Sequence, residues 1–264
     1  MSWLTIAYIS LFYVASFVFI IGLFYRIFEY VRVPAPLKIP TTPAPVNRAG
    51  VLLRLSWEVI FFRSLFGGAK WVWLFGWIFH LSLLLIFFRH LRYFVDPVWW
   101  WVELAQPFGV YAGFAMVVAL LALWARRFFV ERVRYISVFS DHFLLFLLIA
   151  IAVSGLAMKY LLHTDITTLK DFVLGMMNLD WQELPGEQPG ETADFMLLLH
   201  LFLVAILMMI FPYSKLMHGV GLFFCPTRNQ VDNPRAEVGL RSHKSRHVAR
   251  WAIDAESATR SDAS

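Results

Sequence analysis

The sequence predicts an all-α fold, an integral membrane bundle of five transmembrane helices, and three observations carry that expectation. Of its 264 residues, 59% are hydrophobic and only 16% charged, outside the range of ordinary soluble domains. Five apolar runs recur along it, each long enough to cross a hydrocarbon core of roughly 30 Å. The aromatic fraction of 17% suits lipid-facing helices with interfacial anchors, whereas a transmembrane barrel needs short alternating segments.

The first run, within MSWLTIAYISLFYVASFVFIIGLFYR, has neither a basic region ahead of it nor a small-residue cleavage site. It therefore reads as a retained span from Trp3 to Tyr25 rather than a removed signal. Next comes VPAPLKIPTTPAPVNRAG, whose prolines block helix and favour an extended linker. VLLRLSWEVIFFRSLFGG follows, an apolar stretch interrupted by charge, and reads as a helix lying at the membrane interface. The remaining spans are Trp71 to Phe88, Phe108 to Trp124, His142 to Tyr160 and Phe195 to Met217. Trp99, Trp100 and Trp101 form an aromatic belt between the second and third. The loop from Lys159 to Asp194 is acidic, with seven carboxylates against two lysines, and reads as a surface loop. Residues 1–228 thus make the five-helix domain and 229–264 a polar tail.

An odd number of crossings puts the termini on opposite sides. Nineteen of the 23 Lys and Arg residues fall in the first loop, the third loop and the segment from Lys215 onward; only Arg89, Arg92, Lys159 and Lys170 fall on the other face. The positive-inside rule then places the N-terminus outside and the C-terminus in the cytoplasm of a bacterial or archaeal inner membrane. The net charge of +5 follows this topology, so nucleic acid is not an expected partner.

One cysteine, Cys225, excludes a disulfide framework, a Cys-rich zinc site, a Cys-ligated iron–sulfur cluster and haem attachment through C-x-x-C-H. Histidines are the remaining candidates. His80, His90, His200 and His218 lie within or at the ends of two spans, where an ionisable ring is costly. Ten residues between His80 and His90 give roughly 15 Å of rise and about 80° of rotation; eighteen between His200 and His218 give five whole turns and roughly 27 Å. Spans two and five run antiparallel. If they are neighbours, His90 meets His200 near the outer face and His80 meets His218 nearer the cytoplasm. Each pair offers both axial positions of a haem iron. The unequal separations require helix tilt or a kink at Pro212. Any one of these rings is as readily a bundle histidine satisfied by Ser, Thr or backbone, but four in this arrangement favour ligation. A single small ion cannot reach rings so scattered. His142, beside Asp141, reads as interfacial capping, and His163, His243 and His247 as solvated.

The run LLHLFLVAILMMIFPYSKLMHGVG, the two histidine spacings and the stretch ARRFFVERVRYISVFSDHFLLFLL resemble the gamma subunit of respiratory nitrate reductase (NarI) over about Trp71 to Arg228. That resemblance implies five helices and two b-type haems, held by His80 with His218 and by His90 with His200. Within the superfamily, FFCPTRNQVDNPR after LMHGVGL is most similar to the DsrM branch, the membrane cytochrome b of DsrMKJOP complexes. This implies electron transfer between a quinone (menaquinone or ubiquinone) and a cytoplasmic iron–sulfur subunit of the CCG-motif type (DsrK-like), alongside further membrane and periplasmic subunits of a dissimilatory sulfur-metabolism complex. The chain departs from nitrate reductase relatives at Arg89, where they carry a small Gly, and at Ala105, Gln106 and Pro107, which replace a Lys-containing stretch. A quinone oxygen needs a hydrogen-bond donor near the outer haem edge, and Arg89, Arg92 and Gln106 are the candidates, with interfacial anchoring the alternative, favoured for Arg92 and evenly balanced for Arg89. The alternatives are a nitrate reductase gamma subunit and, from another class, a haem-free membrane anchor or transporter subunit.

Overall fold

The computed structural model describes residues 1–33, 43–185, 195–225 and 227–231; half of the Pro-rich linker, the end of the acidic loop and nearly all of the tail lie outside them. Among the described residues the chain is helical, without strands. In order come α1 (Trp3–Arg32), α2 (Arg48–Phe61), α3 (Arg63–Gly68), α4 (Lys70–His90), α5 (Trp100–Phe129), α6 (Glu131–Ile136), α7 (Phe139–Ala157), α8 (Ile166–Asn178), α9 (Phe195–Ile210) and α10 (His218–Gly221).

Among the described residues, five segments are long and apolar enough to cross a membrane: Trp3–Arg32, Lys70–Tyr93, Trp100–Phe129, Phe139–Leu162 and Phe195–Tyr213. They are the five runs expected from the sequence, and the protein is a multi-pass membrane protein. All five differ from the expected bounds, the first running on to Arg32 and the second to Tyr93, and in the third and fifth a proline is involved. The third starts at Trp100 rather than Phe108, because α5 carries Pro107 in its interior; membrane helices tolerate such a proline when neighbouring groups re-satisfy the freed backbone. The fifth is regular α-helix only to Ile210. Pro212 then sits in a short 3-10 turn, Phe211–Tyr213, followed by extended Ser214, so the expected kink is a helix end and no straight helix links His200 to His218. The interfacial segment divides as well, into α2 and α3, where Phe62 adopts the left-handed conformation at φ 49°.

Two compact units make up the chain, the first from Met1–Phe28 and Phe61–Met217, the second from Glu29–Ile60 and His218 onward. In the first, α4 packs along α5, α5 on α7 and α7 on α9. Lipid tails are as apolar as leucine, so close approach has to come from small residues. Ala119 and Ala205 are fully buried, and Gly76, Gly109 and Gly113 are buried too. One apolar cluster joins Phe79, Met116, Leu120 and Ala152 of α4, α5 and α7. A second joins Ile9 of α1, Phe172 of α8 and Leu197 and Leu201 of α9.

That second cluster revises the reading of the acidic loop. Much of it is α8, amphipathic, started by Asp165 accepting from Thr167 N at 2.9 Å and packed into the bundle through Leu169 and Phe172. Its surroundings are laced to α1: the Tyr13 hydroxyl donates to Met176 O at 2.7 Å, Trp181 Nε1 to Tyr13 Oη at 3.0 Å, and Leu184 N to the buried Thr5 hydroxyl at 3.1 Å.

At the opposite end of the first unit, Asp141 is buried at the start of α7. It accepts from Val138 N at 3.3 Å and pairs with Arg127 at 3.2 Å and Lys215 at 2.6 Å. In the second unit, the Tyr30 and Phe224 rings lie 5.8 Å apart, and Arg228 pairs with Glu58 at 3.4 Å.

Candidate functional site

Two histidines from different spans face one another. The rings of His90, at the end of α4, and His200, in the second turn of α9, have centroids 6.5 Å apart and planes within 16° of parallel. An imidazole nitrogen sits about 2 Å from a first-row metal ion. Two rings on opposite sides of one metal therefore have centroids about 6 Å apart, close to the observed spacing.

Both rings also have the Nδ1 partners that a ligating imidazole needs. His90 Nδ1 lies 2.7 Å from Ile86 O, and His80 Nδ1 lies 2.7 Å from Gly76 O, in each case the carbonyl one turn back on α4. A carbonyl only accepts, so Nδ1 carries the proton and the Nε2 lone pair is free to ligate. His200 reaches the same state differently. The Ser154 hydroxyl of α7 donates to Ile151 O at 3.0 Å and lies 3.0 Å from His200 Nδ1; with its own proton committed, the serine oxygen accepts from His200. His142 is the reverse case, because Trp124 Nε1 donates to its Nδ1 at 3.1 Å.

His90 and His200 line a single cavity of about 630 Å³ between α4, α5, α7 and α9, within the roughly 300–1,000 Å³ usual for cofactor-sized pockets. Its walls are mainly apolar, with Met116, Ala152 and Val204 among them. Glycines keep it open. A Cβ on Gly155 would stand 3.2 Å from His200 Cε1, and one on Gly113 would stand 2.8 Å from Leu156 Cδ2. These residues fit a bis-histidine haem: two opposed nitrogen donors, an apolar slot between them, and cations at one end.

Those cations are Arg89 and Lys159, which line the cavity with His163. Arg89 fits because Gly109 faces it across α5; a Cβ there would meet Arg89 Cβ at 2.9 Å. Its Nη1 donates to Gln106 O at 2.9 Å. Gln106 Nε2 donates in turn to Arg89 O at 3.4 Å and Val102 O at 3.2 Å, while Arg92 Nη1 donates to Gln106 Oε1 at 3.3 Å. The three expected quinone-site residues thus form one network tying α4 to α5, in which Arg89 reaches the cavity.

His80 lies edge-on between the rings of Phe62 and Phe79, with centroids 4.9 and 4.8 Å away. His218 begins α10 and belongs to the second unit. In that unit Cys225 Sγ is 3.3 Å from Thr227 Oγ1, a contact that holds the thiol below its ordinary pKa.

Sequence reading overlooked Ser154, the three glycines, and the presence of Lys159 and His163 in the cavity wall. Gly109 and Gly113, four apart on one helix face, were the available signal.

The family model described as "Nitrate reductase gamma subunit" matches residues 68–233. Two curated relatives, each named "Hdr-like menaquinol oxidoreductase cytochrome b-like subunit", align over 90% of this chain. The protein from Archaeoglobus fulgidus is 36% identical with 81% of its length covered, and that from Archaeoglobus profundus 33% identical with 80% covered. Because the matched region holds α4, α5, α7 and α9, and with them the facing histidines and the cavity between, the chain belongs to the nitrate reductase gamma-subunit family.

Proposed function

We propose that this protein is a di-haem membrane cytochrome b that takes electrons from menaquinol and passes them to a cytoplasmic iron–sulfur partner of the CCG-motif (DsrK-like) type within a multi-subunit oxidoreductase. The observation that carries the proposal is the His90–His200 pair, 6.5 Å apart on one apolar cavity with both Nδ1 protons committed. His80 and His218 hold the second haem; His80 supports this through its Nδ1 bond to Gly76 O. When bound, haem supplies one-electron acceptors that relay charge along the bundle.

The names of the relatives, menaquinol oxidoreductase subunits of Hdr-like type, favour quinol as donor and a multi-subunit setting. Charge distribution favours an N-terminus outside, with the basic tail in the cytoplasm beside the partner. On that orientation the His90–His200 pair lies toward the outer face.

The chain's own groups would serve the quinol as follows. The Arg89 guanidinium carries only donors, so its N–H groups can bond a quinone oxygen in each redox state. Gln106 and Arg92 hold it against α5.

The purified protein is expected to give the sharp reduced bands of low-spin haem b at two haems per chain. A spectrum without them would sink the proposal in favour of a haem-free anchor. A co-purifying CCG-type iron–sulfur subunit supports the partner assignment, whereas a molybdenum catalytic subunit would transfer the protein to nitrate reduction. For Arg89→Leu, quinol-driven haem reduction should slow about ten- to a hundredfold, the equivalent of one charged hydrogen bond, with both haems spectrally intact. An unchanged rate removes Arg89 from the site, and loss of one haem assigns it to a haem propionate instead.

A further inference from the structure

We propose that Ser154 is a positioning residue that fixes the ligating tautomer of His200 and lowers the reduction potential of the haem held with His90; this rests on the proposed function above. Three of the four candidate ligands have a described Nδ1 partner. For His80 and His90 it is a carbonyl of their own helix, Gly76 O and Ile86 O. His200 takes its partners from another helix: the hydroxyl of Ser154 on α7, 3.0 Å away, with the Ile151 carbonyl of the same turn beside it.

The direction of that bond follows from bookkeeping of one proton. Ser154 Oγ is 3.0 Å from Ile151 O, which can only accept, so the hydroxyl proton lies there. What remains on Oγ is a lone pair, and the only complementary form of His200 carries hydrogen on Nδ1. The serine side chain is buried, so water does not compete with either bond. Next to it, Gly155 leaves just enough room for the His200 ring, since a Cβ there would stand 3.2 Å from Cε1. Consecutive residues of α7 thus set both the rotation and the protonation of a ring on α9.

The effect on the iron follows from ligand chemistry. An Nδ1–H donated to an acceptor pushes electron density toward Nε2 and makes it the stronger donor. A stronger donor favours ferric over ferrous iron, which lowers the potential. Removing the acceptor reverses this and frees the ring to adopt the Nε2–H form, which cannot ligate.

The test uses the full chain purified with its haems, comparing wild type, Ser154→Ala and Ser154→Thr by optical redox titration and haem assay. Outer-sphere partners of metal-bound histidine are worth about 10- to 100-fold in affinity. A tenfold loss falling on the ferric state raises a one-electron potential by about 59 mV. Ser154→Ala is expected to raise one haem potential by at least that amount, or to lose that haem with the helical content intact. The other haem should be unmoved. Ser154→Thr keeps a hydroxyl that bonds the carbonyl of the preceding turn and should restore the wild-type potential.

Unchanged potentials with both haems retained in Ser154→Ala would overturn the inference. Equal damage by Ala and Thr, or equal shifts at both haems, would also overturn it, because side-chain volume or general loosening would then be the cause. If the wild-type protein carries no haem, the proposed function itself fails; if it does and Ser154→Ala is silent, only the role of Ser154 fails.

Discussion

His200→Ala is expected to remove one haem and leave the other, halving the haem content of the purified protein, and His90→Ala should do the same to the same haem. On the proposed assignment each substitution would delete one of the two haem ligands, and a neighbouring Leu or Phe cannot replace it. The two rings face each other at 6.5 Å, so the variants should be indistinguishable in which spectral component disappears. His80→Ala and His218→Ala should remove the complementary component. Haem stoichiometry and the position of the surviving band decide the matter: if His90→Ala and His218→Ala removed the same haem, the antiparallel assignment would be wrong.

The second large effect is on stability. Asp141→Ala should destabilise the protein by about 1–3 kcal/mol. Losing one member of a buried charge pair usually costs about 3–5 kcal/mol, but the cations here are partly hydrated and weaken the penalty. The Asp141 side chain is 3% exposed, Arg127 28% and Lys215 64%, so most of the loss should come from Arg127 and from the Val138 N–H that Asp141 also satisfies. Thermal unfolding in detergent checks this: a drop of several degrees is expected for Asp141→Ala, a smaller one for Lys215→Ala. Equal melting of Asp141→Ala and wild type would show that the cluster carries no net stability.

The five spans were legible because apolar length is a signal that neither caps nor packing can hide. Their ends were less so. Pro107 reads as a breaker in isolation, yet α5 runs through it from Trp100; Pro212 reads as a kink, yet α9 stops before it at Ile210. One proline had helix on both sides within a packed pair and the other did not, a difference of tertiary context. α8 went unread because its apolar positions, Leu169 and Phe172 among them, are thinned by charges that dominate the loop's composition.

At the site, histidine spacing led directly to His90 and His200 because an ionisable ring in lipid is rare enough to stand out. Ser154 could not be reached that way. A serine in a membrane helix ordinarily bonds its own preceding turn, as Ser154 also does through Ile151 O, and only coordinates reveal the second bond to another helix. Arg89 was legible as a departure from relatives, but the compensating Gly109 was not, since nothing in sequence links positions twenty apart on different helices.

The lacing of α1 to the far end of the chain bears on how the protein is made. Tyr8 donates to Leu198 O at 2.9 Å, Tyr13 to Met176 O, and Thr5 accepts from Leu184 N, all partners between 163 and 190 residues downstream. During synthesis α1 leaves the ribosome before any of them. It must wait in the lipid, unpartnered, while four further spans are inserted, and contacts closed over such sequence distances form slowly. The earliest of these helices to enter the bilayer is therefore among the last to find its seat, and the bonds that tie α8 and the segment after it to α1 close only when that late docking is complete.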